Sequence, residues 1–134
     1  MKVIIFIILV ALQMQAQFLT YPNGKVEKFV LQSDKSRTIL SNQNRIYYKN
    51  GIKSKRMRYE DTRKLYVSFG KERDLVLFSQ KYNLKVVKIT NQKFYTVLFA
   101  LRDNSDIIVL CSKINVNEKV RYAKPHWKAP RYTK

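Results

Sequence analysis

His126 is the only histidine and Cys111 the only cysteine among 134 residues, and that scarcity limits the chemistry the chain can do. A zinc cage or a nucleophile relay needs several such side chains converging on one point. One imidazole and one thiol supply neither. Glu60 and Asp61 are the best carboxylate pair, but they stand in "RYEDTR", where neutralising Arg58 and Arg63 is the simpler role. Ser68 and Ser79 lack the Gly-x-Ser-x-Gly setting that exposes a nucleophilic hydroxyl. Three glycines (Gly24, Gly51 and Gly70) cannot build a phosphate-cradling loop. No enzyme activity, metal or other cofactor is expected.

What the composition offers instead is binding. Lys and Arg number 27 against 9 Asp and Glu, a formal charge of +18, while 46% hydrophobic residues still permit a core. The start, "MKVIIFIILVALQMQAQ", sets Lys2 before an apolar run from Val3 to Leu12. That run is too short for a stable membrane span and fits a secretory segment ending near Ala16. The chain is therefore expected to be exported, to the periplasm or beyond the cell, with +17 left once Lys2 is gone. A buried N-terminal strand is the alternative. A lone Cys111 leaves an exported chain without an internal disulfide, and its place on an apolar helix face reads as packing.

Residues 17–63 read as a β-hairpin leader and linker. "TYPNGKVEKFVL" and "IYYKNGIKSKRM" each turn on an Asn-Gly pair, Asn23-Gly24 and Asn50-Gly51, between strand-forming residues. Residues 64–126 are richer. "KLYVSF" alternates as a half-buried strand. "KERDLVLFSQKYN" then places Leu75, Phe78 and Tyr82 on one helical face. "LKVVKI" is a strand whose apolar phase slips between Val86 and Val87, which calls for a bulge or burial on both sides. "FYTVLFAL" is a third strand. A second helix follows, with Asp103, Asn104 or Ser105 as its cap and Ile107, Leu110, Cys111 and Ile114 on one face. "KVRYAK" closes the set. The expected fold is α+β, a ferredoxin-like βαββαβ sandwich preceded by the hairpin leader, with residues 127–134 as an extended tail.

Both helices of such a sandwich cover one sheet face. The third strand is apolar on both sides: Phe94, Leu98 and Ala100 alternate with Tyr95, Val97, Phe99 and Leu101. Tyr66, Tyr95, Val97, Phe99 and Tyr122 are assigned to the open face, where an apolar patch marks a partner unless the leader hairpins cover it.

These elements resemble the N-terminal prodomain of subtilisin-like serine proteases, most of all the form with an extra leader found in fervidolysin-type precursors. The likeness covers roughly residues 44–127, and its most specific part is the closing run. The family ends in Val-x-Tyr-Ala-x-Pro-Asn-aromatic; here the run is Val120-Arg121-Tyr122-Ala123-Lys124-Pro125-His126-Trp127. The resemblance implies an inhibitor and folding chaperone whose open face packs on surface helices of the protease. Lys124, Pro125, His126 and Trp127 would form the helix-capping exit segment. Lys128, Ala129, Pro130, Arg131, Tyr132, Thr133 and Lys134 would lie in the protease cleft. The family often has acidic or amide groups where Lys124 and His126 stand, and a lysine is unfavourable beside a helix N-terminus. The catalytic motifs of subtilases are absent, so the chain is expected to be a stand-alone inhibitor or part of a precursor.

A nucleic-acid reading shares this topology. "LYVSFG" resembles the first-strand signature of RNA-recognition motifs, with Tyr66 as the base-stacking residue, and the charge would attract phosphates. "KFYTVLFA", however, lacks the glycine of the third-strand signature. Adhesion to anionic surfaces would need the charge alone.

Overall fold

Asn-Gly pairs turn the chain at both predicted points. The structure, a computed structural model, describes residues 16–31, 45–52 and 54–128. The expected secretory segment (Ala16 apart), residues 32–44 of the linker and the tail from Ala129 lie outside the described residues. Strands β1 (Ala16–Thr20) and β2 (Val26–Leu31) meet through a turn closed by Tyr21 N donating to Lys25 O at 2.8 Å. After β3 (Ile46–Lys49), Asn50 and Gly51 both take positive φ, +56° and +73°, the conformation that favours this residue pair. A 3-10 turn (Lys55–Met57) leads into β4 (Arg58–Ser68). Then come α1 (Leu75–Tyr82), β5 (Leu84–Asn91), β6 (Thr96–Leu101), α2 (Ile107–Asn117) and β7 (Tyr122–Lys128).

Both helices start on an aspartate that meets the orphan amides of the first turn. Asp74 accepts from Val76 N at 3.0 Å and Leu77 N at 3.2 Å. Asp106 accepts from Ile108 N at 2.9 Å and Val109 N at 3.2 Å. The cap of α2 is thus Asp106, not Asp103, Asn104 or Ser105. Asp103 instead accepts from Ser105 N and closes the turn before the helix. Ile107, Leu110, Cys111 and Ile114 are all buried, as their spacing predicts. Burial raises the Cys111 thiol pKa well above its ordinary value, which leaves a packing group rather than a nucleophile.

The described residues form an α+β fold: seven strands in one sheet of antiparallel pairings, with two helices. The order is β1-β2-β3-β4-β6-β5, and β7 lies on the opposite edge of β4. β4 is long enough to serve two neighbours on one side. Its Arg58–Glu60 portion pairs with β3 and its Lys64–Ser68 portion with β6, while β7 runs along the other side. β4 therefore crosses the boundary expected between residues 63 and 64, and the leader shares one sheet with the rest. The expected slip in β5 is present as a register shift between Val86 and Lys88.

α2 closes two outer edges of this sheet. Ser112 Oγ donates to Phe18 O at 2.9 Å and accepts from Thr20 N at 3.0 Å, satisfying the outer side of β1. Asn115 does the same for β7: Ala123 N donates to its Oδ1 at 2.6 Å, and its Nδ2 donates to Ala123 O at 2.9 Å. A helix side chain thus supplies what a further strand would. At the far end of α2, Glu118 accepts from Arg73, from Lys81 Nζ at 2.6 Å and from Tyr82 Oη at 2.6 Å, which ties α1 to α2. Burial acts to raise the Glu118 pKa, but these hydrogen bonds prevail and hold it below the ordinary value.

The core lies between the sheet and the helices. Leu65, Val67, Val97, Phe99 and Ala123 meet Phe78, Ile107 and Ile114 there. The leader joins the same core through Leu19, Phe29 and Tyr47. Its described strands extend the same sheet, and its first turn (Tyr21, Pro22, Asn23 and Lys25) lies beside Tyr122 and Lys124.

Candidate functional site: the open sheet face

Strand register builds this face row by row. Lys88 pairs with Leu98, Leu98 with Tyr66, and Tyr66 with Lys124, so one row crosses all four strands of the β5-β6-β4-β7 half. Beside it run Asn91-Thr96-Ser68-Tyr122 on one side and Lys85-Ala100-Lys64 on the other. Neighbouring residues along a strand point to opposite faces, and Leu65 and Val67 point to the core, so these rows look away from the helices.

The face is aromatic and apolar at its centre and cationic around it. Tyr66 is half-buried with the His126 ring centroid 5.3 Å from its own. Leu98 is only 5% exposed although no helix covers it. Thr96 Oγ1 donates to Ser68 Oγ at 3.0 Å, which pairs two hydroxyls within the surface. Lys64, Lys85, Lys88 and Lys124 surround this centre in the same register. Lys124 Nζ lies 5.0 Å from the Tyr122 ring centroid, and the Arg121 guanidinium lies 4.0 Å from that of Phe94.

The structure places Tyr66, Tyr122, Lys124 and His126 on one sheet face; Lys124 and His126, assigned to the exit segment, lie within β7. Val97 and Phe99 are corrected. Both are fully buried under the helices, opposite Val67 and Leu65. β6 is apolar on both sides, so periodicity alone could not choose its inner face; pairing with β4 chooses it. Tyr95 is also displaced. It sits in the turn before β6 at φ +48° and packs against Phe69, 6.1 Å between ring centroids. Leu98, Lys64, Lys85 and Lys88 were missed, and the Leu65–Val67 phase, carried across the register, was the signal that could have found them.

The closing run is corrected as well. Pro125 is buried opposite Leu65 inside β7, an edge strand that tolerates a residue without an N–H. Trp127 is not an exit. Its ring meets Phe29, Tyr47 and Tyr59 at 5.3, 5.5 and 5.6 Å between centroids. Lys128 belongs to the strand, paired with Glu60 and 3.6 Å from its carboxylate, rather than to the tail.

Between the two halves of β4, the register with β7 shifts from Asp61 to Leu65, and Arg63 takes φ +62° there. Thr62 Oγ1 lies 2.5 Å from His126 O and 2.8 Å from His126 Nδ1. A carbonyl only accepts, so the single hydroxyl proton goes to it and Nδ1 carries the proton donated to Oγ1. Nε2 is left for any other partner. Asp61 is fully buried, accepting from Arg63 N at 2.7 Å and the Arg63 guanidinium at 3.1 Å. It does pair with Arg63, as expected, but from inside the fold.

Burial raises the Asp61 pKa above the ordinary carboxylate value in spite of Arg63. The native state therefore holds this proton more tightly than the unfolded chain. Its contribution is full below the ordinary value and is lost as pH rises through the folded-state value. Asp61→Asn removes that slope. The stability difference, variant minus parent, is expected to grow in the variant's favour across this window in urea unfolding at stepped pH. A difference that stays flat or falls contradicts it.

The arrangement can hold an extended or flat partner by apolar contact and charge. Among the described residues, no helix is long and apolar enough to cross a membrane. Comparison with models of known protein families, with curated proteins and with solved structures returns no match.

Proposed function

We propose that the chain is a protein-docking module of the subtilase-prodomain type, an inhibitor and folding chaperone that packs its open face on a subtilisin-like protease. The observation that carries this reading is the row Lys88-Leu98-Tyr66-Lys124. It sets a half-buried aromatic ring beside Leu98, with lysines around it, on the sheet face away from both helices, and the edge strand β7 of that sheet leads directly into residues 129–134. The order β7-β4-β6-β5, with α1 after β4 and α2 after β6, supports the ferredoxin-like reading of this half. The partner is a protease supplied separately or encoded in the same precursor, met outside the cytoplasm if the N-terminal segment is the export signal that it resembles.

The test is inhibition of a panel of subtilisin-like proteases by the chain from Gln17. Stopping the chain after Lys128 is expected to abolish most inhibition, because the cleft-filling peptide is gone. Tyr66→Arg is expected to weaken it about tenfold or more, through the loss of an aromatic anchor at the centre of the face. Absence of inhibition across the panel sinks the proposal.

Nucleic acid is the second reading, favoured by the four lysines around Tyr66. It requires binding that weakens steeply with salt and weakens further in Tyr66→Ala. Against it, Leu98 stands beside Tyr66 where a second stacking ring would serve.

A further inference from the structure

α2 satisfies the outer edges of β1 and β7 with Ser112 and Asn115, but it does nothing for β5. Among the described residues β5 pairs with β6 alone, and everything in it after Leu84 is exposed. Beside this edge, α1 and β5 frame a groove of about 540 Å³ lined by Leu75, Val76, Ser79, Lys85, Val86 and Arg102, among others. On its wall Val76 is 67% exposed and Val86 37%. In its wall, the Ser79 hydroxyl is sealed from solvent and has no hydrogen-bond partner. An open strand edge, a groove of mixed apolar and polar lining beside it and an unsatisfied hydroxyl occur at one place.

The geometry points to this edge as a second docking surface, one that accepts an extended acidic segment of another protein as an added strand beside β5. Main-chain hydrogen bonds to β5 would give affinity, and alternate apolar side chains of the segment would enter the groove. Charge selects the occupant. Lys85, Lys88 and Arg102 line the edge, and lysine on an edge strand repels a second copy of the same edge. The chain's own remaining stretches do not fit either: residues 1–15, 32–44 and 129–134 each hold more Lys and Arg than Asp and Glu. The same lysines that prevent self-association attract carboxylates. Lys85 and Lys88 also border the open face, so the edge amides of β5 and the groove beside α1 are what this surface has of its own, and it would persist if no protease were the partner.

The experiment uses the full chain labelled for amide hydrogen exchange, with two probes, a short peptide alternating Glu with Val and its Lys-Val counterpart. The Glu-Val peptide is expected to slow exchange at amides within Val86–Asn91, and the Lys-Val peptide is not. The double variant Lys85→Glu/Lys88→Glu is expected to lose roughly tenfold in affinity for the first peptide and to gain binding of the second. These side chains are exposed, so the swap separates lost recognition from lost folding. Tyr66→Ala, at the centre of the open face, is expected to leave capture of the Glu-Val peptide unchanged. Equal binding of both peptides, protection at Tyr66 and Leu98 instead of β5, or no protection of β5 overturns the proposal.

Discussion

Trp127→Ala is expected to destabilise the chain by about 3 kcal/mol, the scale seen when a large aromatic is truncated in a packed site. The ring is half-buried, so the upper end of that range is not expected. What raises the effect is where the ring sits. Phe29 comes from β2, Tyr47 from β3 and Tyr59 from the first half of β4, while Trp127 comes from the end of β7. One side chain thus joins the leader to the strand that closes the other half of the sheet. Aromatic pairs contribute about 0.5–1.5 kcal/mol beyond the area they bury, and three such pairs vanish together. Small domains have only about 5–15 kcal/mol in total, so the loss is a large share. Urea unfolding measures it, and Trp127→Phe is expected to recover more than half. A loss in Trp127→Ala below about 1 kcal/mol would place the ring outside the shared core.

Asn115→Leu is the second large effect, expected at about 2–6 kcal/mol, because it orphans two buried backbone groups at about 1–3 kcal/mol each. Leucine has the same number of side-chain heavy atoms and a better helix preference, so the helix itself is not weakened. The Ala123 N–H and C=O lose their only shown partner. Since Ala123 is fully buried, water cannot replace it without opening the gap between α2 and β7. Amide exchange at Ala123 reads this directly and is expected to accelerate well beyond the change at Ile114. If exchange at Ala123 is unchanged while stability falls, the amide contributes by packing and not by satisfying the strand edge.

Much of the scaffold was legible because it rests on local chemistry. Asn23-Gly24 and Asn50-Gly51 demand turns, and Ile107, Leu110, Cys111 and Ile114 define a helical face whatever surrounds them. The slip at Val86–Val87 announced a bulge. The candidate face was only half legible. Tyr66, Tyr122 and Lys124 could be placed from alternation with buried neighbours. Val97 and Phe99 could not, because β6 offers apolar residues to both sides and only its register with Leu65 and Val67 decides between them. Trp127 was misread for a related reason. Its partners lie in the leader, which alone holds too few apolar residues to suggest a core. The pairing of Thr62 with His126 has no sequence signal, since it depends on a register shift between strands 64 residues apart.

The two hydrogen bonds of Ser112 also set an order of events during synthesis. Its partners, Phe18 and Thr20, precede it by 94 and 92 residues. The hairpin that contains them can close within microseconds of leaving the ribosome. At translation rates of about 5–20 residues per second, the helix that receives it is roughly 5–20 s away. For all that time the nascent hairpin shows a bare outer edge with Phe18 and Val26 on its surface. The stretch of life in which this molecule most needs a holding partner is therefore the interval before its second helix exists.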